Sequence, residues 1–317
     1  MKKKICFRAD AGQSIGYGHF IRTLALADML KNDFDCVFYT QSPTEYQISE
    51  LNKVCAYVSL PADDSKFQLF LDALSGDEIV VLDNYFFTTD YQRRIRGKGC
   101  KLVCIDDMHD KHYVADAIIN HGPVTIDNFD CEPYTKLALG FNYALLRKPF
   151  LLPLSGKKRK ESVVLNFGGS DPCRLTDKVV SLLLSINPQF DIIIILGDKT
   201  YLSAINRDKV KILKKLSAIQ MANLFETSSF GILPNSTVSL EAASRGLPLL
   251  VGFYVDNQIE AYYKFIKDKR FVPLGDLRCI NINVLRSAIE GLQSFQPPQN
   301  DYSTVPFNFL KLFHSLL

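Results

Sequence analysis

The chain has 317 residues, long enough for about two domains. Hydrophobic residues make up 47 % and charged residues 22 %, enough apolar material for two cores, and 37 Lys and Arg against 34 Asp and Glu leave a net charge of +3. So even a balance excludes a broad basic surface for nucleic acid, whereas a small anionic ligand needs only a few local donors.

No apolar run approaches the roughly 20 residues that cross a membrane. Ile5-Cys6-Phe7 is broken at once by Arg8 and Asp10, too short for a signal peptide, and the run at 192–196 lies between Asp191 and Asp198. The expectation is a cytoplasmic chain with no membrane insertion, no nucleic-acid partner and a monomeric state. The eight cysteines show no CxxC pairing, which argues for reduced thiols and against a zinc site.

Residues 4–7 read as a buried strand, followed by a glycine-rich loop at 12–18 and an apolar helix at 20–30. Further strands are predicted at 36–39, 78–82 and 101–105, with a helix at 91–96 between the last two. Such alternation implies βαβ units and a parallel sheet. Residues 149–162 carry Pro149, Pro153, Gly156 and the run Lys157-Lys158-Arg159-Lys160, and read as a solvated boundary. The pattern then restarts. A strand at 162–167 runs into Gly168-Gly169-Ser170-Asp171-Pro172, followed by a helix at 176–186, strands at 191–196 and 230–233, a helix at 236–245 stopped by Gly246, and a strand at 249–252. In the tail, 306–317, Pro306 suits a first helical turn, and Phe307, Phe309, Leu310, Leu312 and Phe313 suit docking on the first lobe. The expected fold is α/β: two Rossmann-like domains, 1–150 and 151–300, with parallel sheets facing across a cleft, and a helix at 301–317 packing back on the first domain.

Three places can carry chemistry. The first is Arg8-Ala9-Asp10 with Gly16-Tyr17-Gly18-His19 and Arg22, where a strand ends and a helix begins. Open parallel sheets bind ligands at such strand ends. Gly16 and Gly18 permit a tight turn and close approach of a ligand. The positive end of the helix dipole disfavours an imidazolium at His19 and leaves a candidate general base, though a capping or packing role fits the spacing equally. Asp10 either orients His19 or a water, or caps the loop. Arg8 and Arg22 either bind an anionic leaving group or pair with Asp10; for Arg8 the structural reading is preferred.

The second place is Asn166-Phe167-Gly168-Gly169-Ser170, a strand end offering several N–H groups to an anion, or an ordinary βα turn. It has neither the Walker nor the GxGxxG pattern. The third is Pro234-Asn235-Ser236-Thr237, with Glu241 about one helical turn on. Ser236 and Thr237 suit a helix cap or a phosphate, and Glu241 suits the hydroxyls of a ribose. Downstream lies the polar cluster Asp256-Asn257-Gln258. Asp106-Asp107 with His109 and His112 resembles a weak metal pattern, and His121 and His314 read as structural or exposed.

The string Arg8-x-Asp10…Ile15-Gly16-x-Gly18-His19-x-x-Arg22-x-Leu24 resembles the opening of the UDP-sugar hydrolases of pseudaminic acid biosynthesis (PseG-like). The likeness continues through Leu82-Asp83-Asn84-Tyr85, Ile105-Asp106-Asp107, the stretch Tyr143 to Phe150, Phe167-Gly168-Gly169-Ser170-Asp171-Pro172, the Glu241 helix and Asn257-Gln258. Its second half is shared more widely with MurG-type N-acetylglucosaminyltransferases. The stretch Met108-His109-Asp110-Lys111-His112 is richer in histidine than that pattern.

The resemblance implies a GT-B fold and metal-independent chemistry without a cofactor. It implies release of UDP from UDP-2,4-diacetamido-2,4,6-trideoxy-β-L-altropyranose by a water that His19 activates for attack at the anomeric carbon. On that reading Asp10 assists His19. Gly16, Gly18, Arg22 and Tyr85, then Gly168, Gly169, Ser170, Asn235, Ser236, Thr237, Glu241, Asn257 and Gln258, bind the UDP-sugar. Two alternatives stand beside it: a GT-B glycosyltransferase using a UDP-sugar donor, and a non-catalytic nucleotide-sugar-binding protein.

Overall fold

The computed structural model describes residues 2–12, 16–168, 171, 173–186, 189–197, 200–296, 298 and 300–317. They form two compact units, one of residues 1–148 and 303–317, the other of residues 149–302.

In chain order the first unit runs β1 (Lys4–Ala9), α1 (Gly18–Leu30), β2 (Asp35–Gln41), α2 (Glu45–Leu51), β3 (Ala56–Leu60), α3 (Ser65–Asp72), β4 (Ile79–Asp83), α4 (Thr89–Gly97), β5 (Lys101–Ile105), β6 (Ala117–Asn120) and β7 (Lys136–Leu139). The seven strands pair in parallel in the order β3-β2-β1-β4-β5-β6-β7. Central strands covered on both faces need unbroken apolar runs, and Ile79-Val80-Val81-Leu82 of β4 is buried throughout. The chain proceeds outward from β1 to β3, then returns to the other side of β1 as β4. The loops after β1 and β4 therefore diverge, which opens a crevice at their carboxyl ends.

The second unit repeats the plan. It runs β8 (Lys160–Leu165), α5 (Leu175–Ile186), β9 (Asp191–Ile195), α6 (Ala204–Arg207), β10 (Lys211–Leu213), α7 (Ala218–Thr227), β11 (Ser228–Pro234), α8 (Thr237–Ser244), β12 (Leu249–Phe253), α9 (Ile259–Lys267), β13 (Val272–Asp276) and α10 (Ile282–Gly291). Strand order is β10-β9-β8-β11-β12-β13, again parallel, with the reversal between β8 and β11. Its core joins Val163 and Leu165 of β8 to Val179, Val180 and Leu183 of α5 and to Ile232 and Leu250.

Arg159 departs from the solvated-linker expectation. Its guanidinium donates to the carbonyls of Ser228 and Gly246, and Lys160 opens β8. The segment before it is tied down as well. The Glu226 carboxylate, buried in α7, accepts from the Ser155 N–H and hydroxyl and pairs with Arg245, whose guanidinium also donates to the Leu152 carbonyl. A buried ion pair with further hydrogen bonds on both partners is the form in which such a pair is tolerated.

The tail helix α11 (Val305–His314) begins with Pro306 in its first turn, where the missing N–H is harmless. It belongs to the first unit. Phe313 meets Phe34 edge-on at 6.1 Å between centroids, Phe309 meets Tyr143 at 5.5 Å, and the Lys136 ammonium donates to the Ser315 carbonyl at 2.7 Å. Among the described residues no helix is long and apolar enough to cross a membrane.

Phe313 is fully buried, so Phe313→Ala removes a large apolar contact and leaves a cavity. The expected loss is about 3–5 kcal/mol of unfolding free energy. Denaturant unfolding checks it; a loss below about 1 kcal/mol would show that the tail adds little to the first unit.

Candidate functional site

In the first unit the parallel register sets Asp83, the last residue of β4, beside Ala9 of β1. Gly18 opens α1, so His19 stands in its first turn, close to the end of β4. The loop beforehand closes through paired Gly12 and Gly16 backbone bonds of 3.3 and 2.8 Å. Gly16 sits at φ +79°, a conformation that favours glycine.

Asp83 is fully buried and accepts four hydrogen bonds. Its Oδ1 faces His19 Nδ1 at 2.7 Å and Arg22 Nη2 at 2.6 Å; its Oδ2 faces Arg22 Nε at 2.7 Å and the Thr23 hydroxyl at 2.8 Å. Burial alone would raise this carboxyl, but Arg22 and then His19 hold it well below the ordinary aspartate range. An ionised Asp83 only accepts, so His19 Nδ1 carries the proton and donates it. The 3.1 Å approach of Arg22 Nη2 to the same Nδ1 is therefore an electrostatic contact and not a second hydrogen bond. The ring nitrogen of His19 left to accept a proton, as a general base requires, is Nε2.

Arg22 extends the network. Burial works against its charge, yet Asp107 and Asp83 raise its pKa well above the usual arginine value. Its Nη1 donates to Asp107 Oδ2 at 2.8 Å, and the Tyr85 hydroxyl reaches the same oxygen at 3.4 Å. The Tyr85 ring stands edge-on to His19 at 4.6 Å between centroids and is partly exposed. One cluster thus joins His19, Arg22 and Thr23 of α1 to Asp83 at the end of β4, Tyr85 after it and Asp107 after β5.

Of the alternatives for Asp10, the structure shows a structural one, with the pairing to Arg8 that was preferred for that arginine. Asp10 binds the buried Arg8 guanidinium, its Oδ1 accepts from the Gln41 N–H at 2.8 Å, and its own N–H donates to Asn84 Oδ1 at 2.7 Å. The residue that orients His19 is Asp83, not Asp10. The cause is the register: Ala9 is level with Asp83, while Asp10 lies one residue on and is held toward β2. Arg22, offered as a ligand for an anion or for Asp10, binds two other carboxylates.

Spacing alone gave Asp83 no role, although an acidic residue closing an apolar run at a strand end was the available signal. His121 was likewise read as structural or exposed. It directly follows β6, and the Leu145 N–H donates to its Nδ1 at 3.4 Å. Two other histidines are paired elsewhere: His109 with Asp106 at 2.9 Å, and His112 with Asp130 at 2.8 Å and Glu132 at 3.2 Å. Among the described residues no group of three His, Cys, Asp or Glu is arranged to hold a metal ion.

In the second unit the corresponding crevice lies after β8 and β11. Gly168 adopts φ +90° and its N–H donates to Asn166 Oδ1 at 3.3 Å, while Asn166 Nδ2 donates to the Ile195 carbonyl at 3.0 Å. Gly169 and Ser170 lie outside the described residues. Asp171 accepts from the N–H groups of Leu175 and Thr176, both at 2.8 Å, and so caps α5. After β11, Asn235 donates its N–H to the Gly252 carbonyl at 2.8 Å and its side-chain amide to the Gln258 carbonyl at 3.0 Å. Gln258 Oε1 accepts from the Tyr254 N–H at 3.1 Å, and Asn257 lies in the same helical turn.

Ser236 is the N-cap of α8; its N–H donates to the Ser239 hydroxyl at 3.2 Å, and its own hydroxyl donates to the Pro234 carbonyl at 3.4 Å. Thr237 begins the helix, and Glu241 lies within it, 2 % exposed. The beginning of α8 and the Gly168 turn thus stand at the ends of neighbouring strands.

No family model matches the chain. It is 28 % identical over 297 residues, 87 % of its length, to an uncharacterised protein of Methanocaldococcus jannaschii. It is 26 % identical over 194 residues, 57 % of its length, to the UDP-2,4-diacetamido-2,4,6-trideoxy-β-L-altropyranose hydrolase of Campylobacter jejuni. The chain spans 60 % of the first relative's length and 65 % of the second's. Among solved structures, MurG of Acinetobacter baumannii superposes with a TM-score of 0.66 at 12 % identity, covering 99 % of both chains. Medicago truncatula UGT71G1 complexed with UDP-glucose gives 0.66 at 12 % identity, covering 99 % of this chain and 98 % of that one. A putative UDP-N-acetylglucosamine 2-epimerase of Listeria monocytogenes gives 0.62 at 12 % identity, covering 99 % and 96 %. The fold is therefore GT-B, with two Rossmann-like units.

Asp83→Asn leaves the buried Arg22 with one carboxylate fewer and is expected to lower unfolding free energy by about 3–5 kcal/mol at neutral pH. An unfolded aspartate titrates near 3.8 and the native Asp83 lower. Its contribution is thus full above that value and is lost as the pH falls through the native one. Unfolding free energies of wild type and Asp83→Asn should converge as the pH is lowered below about 4. A gap independent of pH would contradict the ionised, paired Asp83.

Proposed function

We propose that the protein is a nucleotide-sugar hydrolase that releases UDP from a UDP-linked diacetamido-trideoxy sugar. The observation that carries the proposal is the His19–Asp83 pair at the strand reversal of the first unit, with Nδ1 held by a buried carboxylate. The Campylobacter relative, whose name specifies this hydrolysis, supports the choice of substrate.

The reaction needs one proton acceptor and a stabilised leaving group. His19 Nε2 takes a proton from water as the water oxygen bonds to the anomeric carbon. The bond from that carbon to the diphosphate oxygen breaks, and UDP leaves with the electron pair. The products are the free sugar and UDP, and the proton on His19 passes to solvent. Asp83 fixes the ring and stabilises the imidazolium formed in the step. Arg22 and Thr23 hold Asp83 so that it cannot turn away.

In the second unit the diphosphate is assigned to the sequence Gly168-Gly169-Ser170, of which Gly168 is described, and to Ser236 and Thr237 at the start of α8. N–H groups at a helix N-terminus stabilise the charge that develops on a leaving phosphate. Glu241 is assigned to the ribose hydroxyls, with Asn235, Asn257 and Gln258 shaping the surrounding loop. In the first unit Tyr85, against the His19 ring, is assigned to the sugar.

Purified protein incubated with UDP-2,4-diacetamido-2,4,6-trideoxy-β-L-altropyranose and no acceptor should release UDP and free sugar in equal amounts. Release only after an acceptor is added would make the protein a transferase; binding without turnover would make it a binding protein. His19→Asn is expected to bind UDP as the wild type does and to lose at least about a hundredfold in kcat. Near-normal turnover in that variant would remove His19 from the mechanism.

A further inference from the structure

His121 is absent from the chemistry above, yet the topology carries it to the same end of the sheet. Strands β5 and β6 pair with Ile105 level with Ile119, so His121 and Asp107 both follow the ends of adjacent strands. The turn is fixed: Asn120 Nδ2 donates to the Asp106 carbonyl at 2.7 Å, and Asn120 Oδ1 accepts from the Gly122 N–H at 2.6 Å. The Leu145 N–H donates to His121 Nδ1, which leaves the ring proton on Nε2. Burial, then the Arg22 guanidinium, push His121 down to about 4, so the ring is neutral at physiological pH. After the neighbouring strand β5, Asp107 Oδ1 is buried without a hydrogen-bond partner among the described residues, its other oxygen being taken by Arg22 and Tyr85. A buried acceptor without a partner is costly unless a ligand supplies the donor.

We propose that His121 Nε2–H and Asp107 Oδ1 form a donor–acceptor pair that reads uncharged polar groups on the glycosyl part of the substrate, and that His121 thereby sets sugar specificity. The inference rests on the functional reading above and adds the residues that recognise the sugar. A neutral donor suits a hydroxyl or carbonyl oxygen. A phosphate oxygen would favour a cation, which Arg22 opposes at this position. His121 is a specificity residue and takes no proton in the reaction.

The test measures affinity of wild type, His121→Phe and His121→Gln for UDP and for UDP-2,4-diacetamido-2,4,6-trideoxy-β-L-altropyranose, with KM and kcat for the latter. Loss of one neutral hydrogen bond predicts about a tenfold weaker KM for the UDP-sugar in His121→Phe. UDP affinity should be unchanged within about twofold, with partial recovery in His121→Gln, which keeps a donor. Equal weakening toward UDP and UDP-sugar, or no change toward either, overturns the inference while leaving the hydrolase reading intact. A wild type that binds UDP but not the UDP-sugar overturns both. Nitrogen NMR of the His121 ring gives a readout independent of substrate. Protonated Nε2, with no titration between pH 8 and about 5.5, is expected from the depressed value. A ring protonated at Nδ1, or titrating near 6.5, would overturn it.

Discussion

One buried carboxylate organises the first unit's strand ends. Asp83 has no exposure to water, and an isolated charge there would be strongly disfavoured. It is stable because three residues of a single helix, His19, Arg22 and Thr23, turn four donors onto it. Positions 19, 22 and 23 are separated by three and four residues and so share a helix face. The strand supplies the charge and the helix supplies the partners, so the packing of α1 on β4 and the orientation of His19 are the same interaction. The constraint also fixes a tautomer. With Nδ1 donating to an ionised acceptor, Nε2 is the ring nitrogen left to take up a proton, and that nitrogen is what the proposed chemistry uses.

Arg22 makes the arrangement wider than a pair. A lone Asp83 could orient His19, but its field would act on the imidazole alone. Arg22 offsets it and links the β4 end to the β5 end through Asp107. Burial, and then the same guanidinium, keep a second imidazole, His121, neutral. Two histidines thus lie near one cation and differ in role because their Nδ1 partners differ. A carboxylate at His19 makes Nδ1 a donor; a backbone N–H at His121 makes Nδ1 an acceptor.

The sequence is most legible where packing forces a pattern. β1, β4, β5, β9 and β12 are covered on both faces and announce themselves as apolar runs, and Gly246 marks the end of α8. Edge strands are harder to see. β3, β10 and β13 have exposed or half-exposed positions and no continuous apolar run, and none was anticipated. β6, although buried throughout, has only four residues, too few for periodicity to register, and missing it hid the placement of His121. At the site, the Gly-x-Gly-His spacing marks His19, and Arg22 follows one helical turn later. Which acid serves His19 is a matter of register between two parallel strands. Asp10 is nearer in sequence, Asp83 nearer in space, and only the pairing of Ala9 with Asp83 separates them. Arg159 shows the same limit, because a basic run gives no sign that two distant carbonyls wait for one of its members.

The two units share a strand plan, and their different side chains at equivalent places give them different capabilities. In each, the order reverses beside the first strand, and a helix starts at the crevice this opens. In the first unit that helix start carries an imidazole and a guanidinium facing a buried acid, groups that can hold or move a proton. In the second, the turn after β8 and the start of α8 carry glycine, serine and threonine, whose backbone N–H groups and hydroxyls suit an anion and have no proton to exchange near neutral pH. The fold constrains where the strand ends lie in each unit and leaves open which residues stand on them.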